Sequence, residues 1–386
     1  MIGLVLFWCS FGLMVYTLFL FPIVILLRGR WCKKDYRVED ITPSLTVVVC
    51  AYNEEGYIGA RIENLLASHY PMDQLHIIVG SDGSTDRTEE IVRSYADRGV
   101  QLIPGQRQGK ISMLNDCLEQ AKGALVVFTD ANTHFKPDTL RELVKPFADE
   151  AVGGVAGNQI YTRDQEQSLT ADGECAYWNF DRMMKLAQSG AGHITSATGA
   201  IYAIRRALFQ PIPMGATDDF MVSTGVISQG ARLVYRDEAQ AFEPVAIKAQ
   251  TEFLRKVRVI TQGLYAVKCR RELLNPFRYG YYAFQITWHK LLRRLLVFPL
   301  LGMLFASPWI WTQGRIYQAV VLLQLAFYGA ALLGFGLRKT RLGCNKLLTL
   351  PFYFCLVNGA ALLAAFNMLR GRRIGVWITT RKADTV

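Results

Sequence analysis

The chain has 386 residues, of which 51% are hydrophobic and only 19% are charged, and its formal net charge is +11. This composition excludes an intrinsically disordered protein, because disorder requires low hydrophobicity. The eight cysteines form no Cys-x-x-Cys pair and several lie in apolar runs, which argues against a zinc site and a disulfide framework.

The first predicted element is a membrane anchor over residues 1–28. Residues 2–27 contain no charged side chain, and a helix of that length exceeds the roughly 30 Å of a bilayer's hydrocarbon core. A cleaved signal peptide is the alternative, but the stretch lacks a basic leading segment and a small-residue cleavage site. Four basic residues follow between Arg28 and Lys34, and the positive-inside rule therefore places the next segment in the cytoplasm.

Residues 36–270 have the mixed composition of a soluble α/β domain. Short β-branched or aliphatic runs predict buried strands at 45–51, 76–80 and 124–129. Helical patterns accompany them at 58–68, 88–97 and 111–121. Such alternation predicts a mainly parallel sheet with helices on both faces, whose ligands bind beyond the carboxyl ends of the strands.

The segments after this domain are predicted to associate with a membrane. Residues 271–294 are basic and aromatic, which predicts an amphipathic helix in the headgroup layer; nucleic-acid binding is the alternative, disfavoured by the apolar runs on either side. Uncharged runs predict a transmembrane cluster over residues 295–369, with segments at 295–314, 316–337 and 347–369. A basic tail, residues 370–386, follows. From the charges we expect one run, 295–314 or 347–369, not to cross fully and the tail to be cytoplasmic.

Polar and acidic side chains follow each of the three predicted strands. These are Tyr-Asn-Glu-Glu at 52–55, Ser-Asp-Gly-Ser-Thr-Asp at 81–86 and Asp-Ala-Asn at 130–132. Turn and helix-cap chemistry is an alternative for any single cluster. Because the carboxyl ends of neighbouring parallel strands meet at one edge, the three clusters together indicate a binding or catalytic site.

The ordered set of segments resembles the family 2 glycosyltransferases, inverting enzymes with the GT-A nucleotide-sugar fold. The resemblance runs from about residue 45 to residue 263. It also includes Gln-Gly-Lys at 108–110, Thr-Gly-Ala at 198–200, Thr-Asp-Asp at 217–219 and Arg-Lys-Val-Arg-Val at 255–259. The flanking membrane segments match the subgroup that includes chitin-oligosaccharide, hyaluronan, poly-N-acetylglucosamine and cellulose synthases. The resemblance implies a GT-A domain that binds a nucleotide-sugar.

Donor-binding roles are implied for five residues. Asp82 would accept a hydrogen bond from the uracil N–H, while Ala51, Tyr52 and Glu54 would frame the base and ribose. Lys110 would approach the diphosphate. From the residues alone, Glu54 stays open to interpretation as a solvated helix start and Lys110 as a surface lysine.

A metal site is implied at 130–132, which occupies the place of the family's Asp-x-Asp element. A divalent ion there neutralises charge on the leaving diphosphate, so the resemblance implies Mg²⁺ or Mn²⁺ held by Asp130 and Asn132. Asn132 departs from the family pattern, because an amide oxygen can bind the metal but brings no charge.

Asp219 is the implied general base, at the final acid of the family's Thr-Glu-Asp element, with Asp218 as the supporting acid. An acid pair that complements a helix dipole is the alternative. Arg255 and Arg258 are three residues apart, hence on one helix face, in the region where the family's arginine meets the diphosphate; a basic helix that faces lipid is the alternative. Val259 stands where the family has a tryptophan that stacks on the growing chain, which puts processivity in question.

These expectations describe an inverting glycosyltransferase of the inner (plasma) membrane with a cytoplasmic catalytic domain. It would move a sugar from a UDP-sugar to a growing cell-surface polysaccharide or a lipid-linked glycan. The bilayer is an expected partner, polysaccharide-export proteins are further candidates, and nucleic acid is not expected. The alternatives are a single-transfer enzyme with a lipid acceptor and a catalytically inactive subunit of an export complex. A nucleotidyltransferase is disfavoured because no glycine-rich phosphate loop follows the first strand.

Overall fold

The structure, a computed structural model, describes residues 1–162, 169–244, 249–338, 340 and 342–372. Contacts group these residues into two compact units. The sheet unit comprises the described residues of 25–244 together with 269–273, and the apolar unit comprises those of 1–24, 249–268 and 274–372. The segment that carries Arg255 and Arg258 thus groups with the apolar unit, whereas the sequence assigned it to the catalytic domain.

A mixed sheet forms the framework of the sheet unit, and within the described residues it has eight strands. In chain order these are β1 Leu45–Ala51, β2 Leu75–Asp82, β3 Val100–Gly105, β4 Leu125–Asp130, β5 His134–Phe135, β6 Val152–Thr162, β7 Tyr202–Arg205 and β8 Arg232–Pro244. Their spatial order is β3-β2-β1-β4-β7-β6-β8-β5. β1 is parallel to β2 and β4, β2 to β3 and β6 to β8, whereas β7 is antiparallel to both neighbours and β5 to β8. The predicted α/β class with a mainly parallel sheet is confirmed.

Helices connect the strands and build the apolar unit. The described α-helices are α1 Ile2–Val15, α2 Phe21–Trp31, α3 Ile58–Leu66, α4 Thr88–Arg93, α5 Lys110–Gln120, α6 Thr139–Val144, α7 Leu169–Gly190, α8 Asp218–Ser228, α9 Ala249–Cys269, α10 Pro276–Tyr279, α11 Tyr281–Ile286, α12 Val297–Ile310, α13 Arg315–Leu337 and α14 Lys346–Leu369. A π turn, Tyr16–Leu20, joins α1 and α2 into one helical run.

Strand β1 is the centre of the parallel half of the sheet. All seven of its residues are buried, as expected for a strand with covered faces. On one face Val49 belongs to a core cluster that includes Ile62 of α3. On the other face Gly80, the β2 partner of Cys50, lies so close to α5 that a Cβ there would meet the Cys117 sulfur at 2.5 Å. Helices therefore cover both faces, and this fixes the sheet edge as the place for a ligand.

The carboxyl ends of three parallel strands lie side by side. Ala51 at the end of β1 pairs with Ser81 of β2, and Cys50 pairs with Asp130 at the end of β4. The segments that follow β1, β2 and β4 consequently start at one edge, as the sequence predicted.

The pairing of β6 with β8 contains an irregularity at Gly157. The register runs from Gly157 opposite Arg236 to Asn158 opposite Gln240, so three residues of β8 are looped out of the ladder. A Cβ at Gly157 would lie 2.6 Å from the Ala239 carbonyl oxygen, and a larger residue does not fit there. Bulges of this kind bend a strand and increase its twist.

The apolar unit is built from close helix packing. Helix α12 runs antiparallel beside α1, since a Cβ at Gly302 would lie 2.5 Å from the Ser10 hydroxyl and a Cβ at Gly3 the same distance from Trp309. Helix α9 packs with α14 in a second cluster, whose buried members are Val257, Ile260, Leu264, Ala360, Ala361 and Ala364.

Among the described residues, three helices are long and apolar enough to cross a membrane: Ile2–Trp31, Arg315–Leu337 and Lys346–Leu369. A fourth candidate is the pair Tyr281–Leu295 and Val297–Gln313, which is bent by 51° and is either a broken span or a re-entrant segment. The bend lies at residue 296, at the start of the run predicted at 295–314, and the number of full crossings stays a prediction.

Candidate active site

The loops after β1 and β2 are held together by reciprocal hydrogen bonds. The Thr85 N–H donates to Asn53 Oδ1 at 2.8 Å, and the Asn53 N–H donates to Ser84 Oγ at 3.1 Å. The Glu54 N–H donates to Thr88 Oγ1 at 2.9 Å. Asn53 has φ 53°, a left-handed conformation that asparagine tolerates better than most residues. The segments at 52–55 and 81–86 therefore form one rigid wall, and the buried Glu54 is not a solvated helix start.

Asp82 lies at the end of β2 and is 1% exposed. Its carboxylate accepts the Gln108 and Gly109 N–H groups at 2.8 Å each and forms an ion pair with Arg107. The Arg107 guanidinium lies over the Tyr52 ring, 3.3 Å from its centroid. A nucleobase that bonds Asp82 must therefore displace part of this network or share the carboxylate with it. Sequence reasoning missed Arg107, although its place directly before the Gln-Gly-Lys segment was a usable signal.

Lys110 connects two acids from different elements. Its Nζ lies 2.8 Å from Asp130 Oδ1 at the end of β4 and 2.9 Å from Asp218 Oδ2 at the start of α8. Burial disfavours the ammonium, but the two carboxylates outweigh it and raise the pKa of Lys110 well above its ordinary value. Lys110 is thus a fixed positive charge at the strand ends and not a plain surface lysine.

Tyr202 of β7 lies beside these charges. It is fully buried, its ring stacks on Phe128 with centroids 4.6 Å apart, and its hydroxyl has no hydrogen-bond partner among the described residues. Burial, and then the neighbouring Asp218 carboxylate, raise its pKa well above the ordinary value. A buried hydroxyl without a partner is costly. Nothing in the sequence singled out Tyr202.

Arg61 of α3 stabilises the end of β4 through hydrogen bonds. It is 2% exposed, its Nη2 donates to Thr129 Oγ1 at 2.9 Å, and that hydroxyl donates to the Ala200 carbonyl at 2.9 Å. Burial lowers the pKa of Arg61 to about 9, although the charge of nearby Asp130 acts in the opposite direction. These bonds fix the residue that precedes Asp130, and with it the direction in which the strand ends.

Asn132 is oriented by an acid that the sequence did not indicate. Its Nδ2 donates to Glu243 Oε1 at 3.0 Å, and Glu243 Oε2 accepts a hydrogen bond from Gln159 Nε2. The amide nitrogen is therefore used within the protein, and the carbonyl oxygen is the atom suited to coordinate a metal.

The two acids at the start of α8 differ in their surroundings. Asp218 forms an ion pair with Lys110, whereas Asp219 Oδ1 accepts the Phe220 N–H at 2.7 Å. The Asp219 carbonyl accepts the Ser223 hydroxyl at 2.6 Å. Asp218 is thus ion-paired with Lys110, and the role of Asp219 as the general base stays a prediction.

Arg255 and Arg258 lie on α9 in the apolar unit. Arg255 is exposed and Arg258 half-buried, and burial together with the adjacent Arg255 charge lowers the pKa of Arg258. Val259 is exposed, while Val257 and Ile260 face the packed cluster. The helix thus has a polar face and a packed face. The donor role of the two arginines stays a prediction.

The residues at the strand ends suit a hard divalent cation. Asp130, Asp218 and Asn132 offer carboxylate and amide oxygens, which are ligands of Mg²⁺ and Mn²⁺. Lys110 shows that a positive charge is already held between two of them. Within the described part of the chain no group of three or more His, Cys, Asp or Glu side chains is placed to hold a metal. A metal here would therefore need oxygens from its ligand as well.

Comparison with known families identifies the domain. Residues 46–212 match the family model for glycosyl transferase family 2, and this segment is a domain of that family. The predicted recognition and the predicted enzyme class, a glycosyltransferase, are confirmed at the level of this domain.

Curated relatives match part of the chain. A β-monoglucosyldiacylglycerol synthase of Synechocystis is 33% identical over 155 residues, which is 37% of this chain and 32% of that protein. The hyaluronan synthase of Streptococcus pyogenes is 25% identical over 222 residues, 52% of this chain and 51% of that protein. The chain spans between about a third and about half of the length of such relatives.

Among solved structures, a mannosyltransferase from Pyrobaculum calidifontis in complex with GDP-mannose and Mn²⁺ has a TM-score of 0.69 and 23% identity. The match covers 96% of this chain and 99% of that one. The similarity establishes the GT-A type of fold that the sequence implied.

Proposed function

We propose that the chain is an inverting glycosyltransferase that moves a sugar from a nucleoside diphosphate donor, a UDP-sugar, to a glycan or lipid-linked acceptor. The observation that carries this proposal is a cluster of three charged residues beside the wall that contains Asp82. Asp130 is the last residue of β4, and Lys110 and Asp218 are the first residues of α5 and α8. A diphosphate leaving group needs such preorganised charge.

Each residue of the cluster has a chemical role in this reaction. Asp219 accepts the proton of the acceptor hydroxyl, which attacks the anomeric carbon from the side opposite the departing diphosphate. Lys110 offers its ammonium to the diphosphate oxygens, while Asp130 and Asp218 hold that ammonium in place. Asp82 and Tyr52 are proposed to bind the base, and Ala51 and Glu54 are proposed to frame the base and ribose beside them. Arg255 and Arg258 are proposed to add positive charge from α9.

Asp130 and Asn132 would hold Mg²⁺ or Mn²⁺. The Mn²⁺ in the structurally similar mannosyltransferase and the oxygen donors at this edge support the assignment. When bound, the ion supplies Lewis-acid stabilisation of the leaving diphosphate.

We place the sheet unit on the cytoplasmic face of the inner membrane. The apolar run Ile2–Trp31 ends in basic residues, and α9, which follows the sheet unit, exposes Arg255 on one face and packs Val257 on the other. Basic residues next to an apolar segment favour the cytoplasmic side.

A single transfer to a lipid acceptor is the second candidate. Val259 is an exposed aliphatic residue at the position where the family resemblance implies a tryptophan, and a β-monoglucosyldiacylglycerol synthase is among the curated relatives. Extension of a polysaccharide predicts products of many lengths, whereas single transfer predicts one.

The test is release of UDP or GDP from a panel of nucleotide-sugars by the purified protein in lipid nanodiscs, with and without Mn²⁺. GDP-mannose belongs in the panel because the similar mannosyltransferase binds it. We expect one UDP-sugar to be turned over, and the product mass then separates polymer from single transfer. No turnover of any donor, with a lipid extract supplied as acceptor, would favour the inactive subunit of an export complex.

A further inference from the structure

A cleft of about 430 Å³ opens where β6, β8 and α7 meet, and its volume is typical of small-molecule sites. It is lined by Asn158, Gln159 and Tyr161 of β6, Trp178 and Arg182 of α7, and Gln240 of β8. None of these residues was a candidate from the sequence.

The lining combines aromatic faces with planar amides. The rings of Tyr161 and Trp178 have centroids 5.3 Å apart and planes inclined by 44°, so they form a wedge and not a closed stack. Asn158, Gln159 and Gln240 carry amide groups, each of which can donate and accept hydrogen bonds. A sugar ring has the matching chemistry, since its C–H face is apolar and its hydroxyls both donate and accept.

The cations beside the cleft are neutralised within the protein. Arg182 Nε donates to Asp237 Oδ1 at 2.6 Å, and its Nη2 pairs with the other oxygen of the same carboxylate. Lys185, which is nearly buried, pairs with Asp181 at 2.9 Å. A site for phosphate or a nucleotide would offer uncompensated positive charge. The pairing therefore favours a neutral ligand.

The cleft is connected to the proposed metal ligand by one carboxylate. Gln159, in the cleft wall, donates to Glu243 Oε2, and Asn132 donates to Glu243 Oε1 at 3.0 Å. Gln159 is thus two hydrogen bonds from Asn132, the residue proposed to hold the metal.

From these observations we infer that the cleft is a subsite for a neutral sugar residue of the acceptor, with Trp178 as the ring platform. The inference rests on the proposed function, because that function defines the acceptor. It assigns the cleft to the acceptor and not to the donor, since a nucleoside diphosphate brings charge that the cleft does not match.

Binding to the full chain in lipid nanodiscs tests this subsite directly; maltoside detergents are avoided because they carry sugars. The probes are methyl glycosides of glucose, galactose, mannose and N-acetylglucosamine, together with cellotetraose and chitotetraose, and inorganic phosphate serves as the anion control. We expect saturable binding of at least one sugar probe in calorimetry and no competition by phosphate. Absence of binding by all sugar probes, or competition by phosphate, would overturn the inference.

Variants on α7 separate a sugar platform from general damage to the fold. Trp178→Ala is expected to weaken binding of the sugar probe at least tenfold. Trp178→Phe is expected to keep the probe affinity within about threefold of wild type, because an aromatic face remains. Met183→Ala is the matched control, since Met183 is exposed on the same helix and does not line the cleft. UDP titration of each variant checks that the sheet unit is folded. Equal affinity of Trp178→Ala and Met183→Ala for the probe would refute the platform.

The same variants distinguish failure of the subsite from failure of the proposed function. If wild type releases UDP from a donor but Trp178→Ala leaves the acceptor KM unchanged, the subsite is wrong and the transferase function stands. If no donor is turned over while Trp178→Ala still abolishes probe binding, the sugar site stands and the proposed reaction is wrong.

Discussion

At the scale of single residues, the acids of the candidate site differ in their hydrogen-bond and ion-pair partners. Asp82 is held by backbone N–H groups and Arg107, and Asp218 is held by Lys110. Asp219 follows Asp218 on the same helix, and its Oδ1 accepts the Phe220 N–H. The proposal assigns Asp82 to the base, Asp218 to the ammonium of Lys110 and Asp219 to the acceptor proton.

Asp219→Asn should abolish transfer and leave UDP binding within about threefold of wild type, because the change removes the proton acceptor and keeps the side chain's shape. Asp218→Asn should instead weaken UDP binding, since Lys110 loses one of its two anchors. Calorimetric UDP titration beside a transfer assay measures both. Turnover by Asp219→Asn above about a tenth of wild type would assign the base to another group.

Lys110→Met should lower the free energy of unfolding by about 2 kcal/mol. The value is set below the 3–5 kcal/mol of a fully buried pair because these side chains are 20–33% exposed. The folded-state pKa of Lys110 is raised, so its contribution is complete below the ordinary lysine pKa and is lost only as pH rises through the folded value. The difference from wild type should therefore stay constant from about pH 6.5 to 9 in thermal melts. Lys122→Met, at an exposed lysine, is the control, and a difference that shrinks across this window contradicts the prediction.

Asn132→Asp tests the metal assignment. A second carboxylate should tighten the apparent Mn²⁺ affinity about tenfold, but it also replaces an N–H···O bond to Glu243 with repulsion. In the double variant Asn132→Asp with Glu243→Gln, the glutamine supplies an N–H that can donate to the carboxylate introduced at position 132 without repulsion. This double variant should show the tighter Mn²⁺ affinity more clearly. Activity is measured against Mn²⁺ concentration, and excess chelator should abolish it in every variant. Full activity in chelator would remove the metal from the mechanism.

At the scale of elements, the two loops after β1 and β2 behave as one piece. Asn53 contributes both its left-handed backbone and the side-chain oxygen that accepts the Thr85 N–H. Neither loop needs to order when a donor binds, because each is already bonded to the other. Preorganisation of this kind reduces the entropy cost of binding.

Asn53→Gly and Asn53→Ala separate the two contributions. Both lose the bond to Thr85, but alanine also bears the left-handed strain of roughly 1–2 kcal/mol. We expect Asn53→Ala to be less stable than Asn53→Gly by about 1 kcal/mol and to melt at a lower temperature. Equal melting temperatures would show that the backbone relaxes at this position.

The strands that sequence patterns predicted are those buried on both faces. β1, β2 and β4 have cores of β-branched and aliphatic residues, and the burial of these cores follows from composition. β3 contains Gln101 and Pro104, and β5 has two residues, so neither has a pattern to detect. For the candidate site, the acidic turns after these three strands were sufficient to predict that Asp82 and Asp130 lie at the same edge of the sheet. Arg61, Tyr202 and Glu243 were not predictable, because only the long-range pairing of the sheet brings them to the same place.

At the scale of the whole molecule, the course of α14 decides on which side the chain emerges. Ala360 and Ala364 pack against Val257 and Ile260 of α9, whose other face carries Arg255. An exposed arginine belongs near water, and with the cytoplasmic orientation proposed above we expect the end of α14 near the cytoplasmic side. The competing arrangement is a full crossing by the bent pair, supported by the antiparallel packing of α12 on α1.

A cysteine introduced at Arg372, just beyond α14, distinguishes the two. With accessible native thiols such as Cys9 and Cys32 removed, we expect an impermeant maleimide to label it only after the cells are opened. A cysteine at exposed Met72 of the sheet unit is the control for the cytoplasmic side. Labelling of position 372 in intact cells would establish the full crossing.

The looped-out residues of β8 divide one strand pair into two stretches with separate constraints. Before Gly157 the pair is part of the packed sheet, and after it the side chains from Asn158 to Tyr161 line the open cleft. A substitution in the second stretch changes the shape of the cleft without moving the register of the first, because the irregularity absorbs the difference. If the cleft binds the acceptor as inferred, substitutions in the second stretch can change acceptor preference while the proposed donor site at the ends of β1, β2 and β4 keeps its geometry.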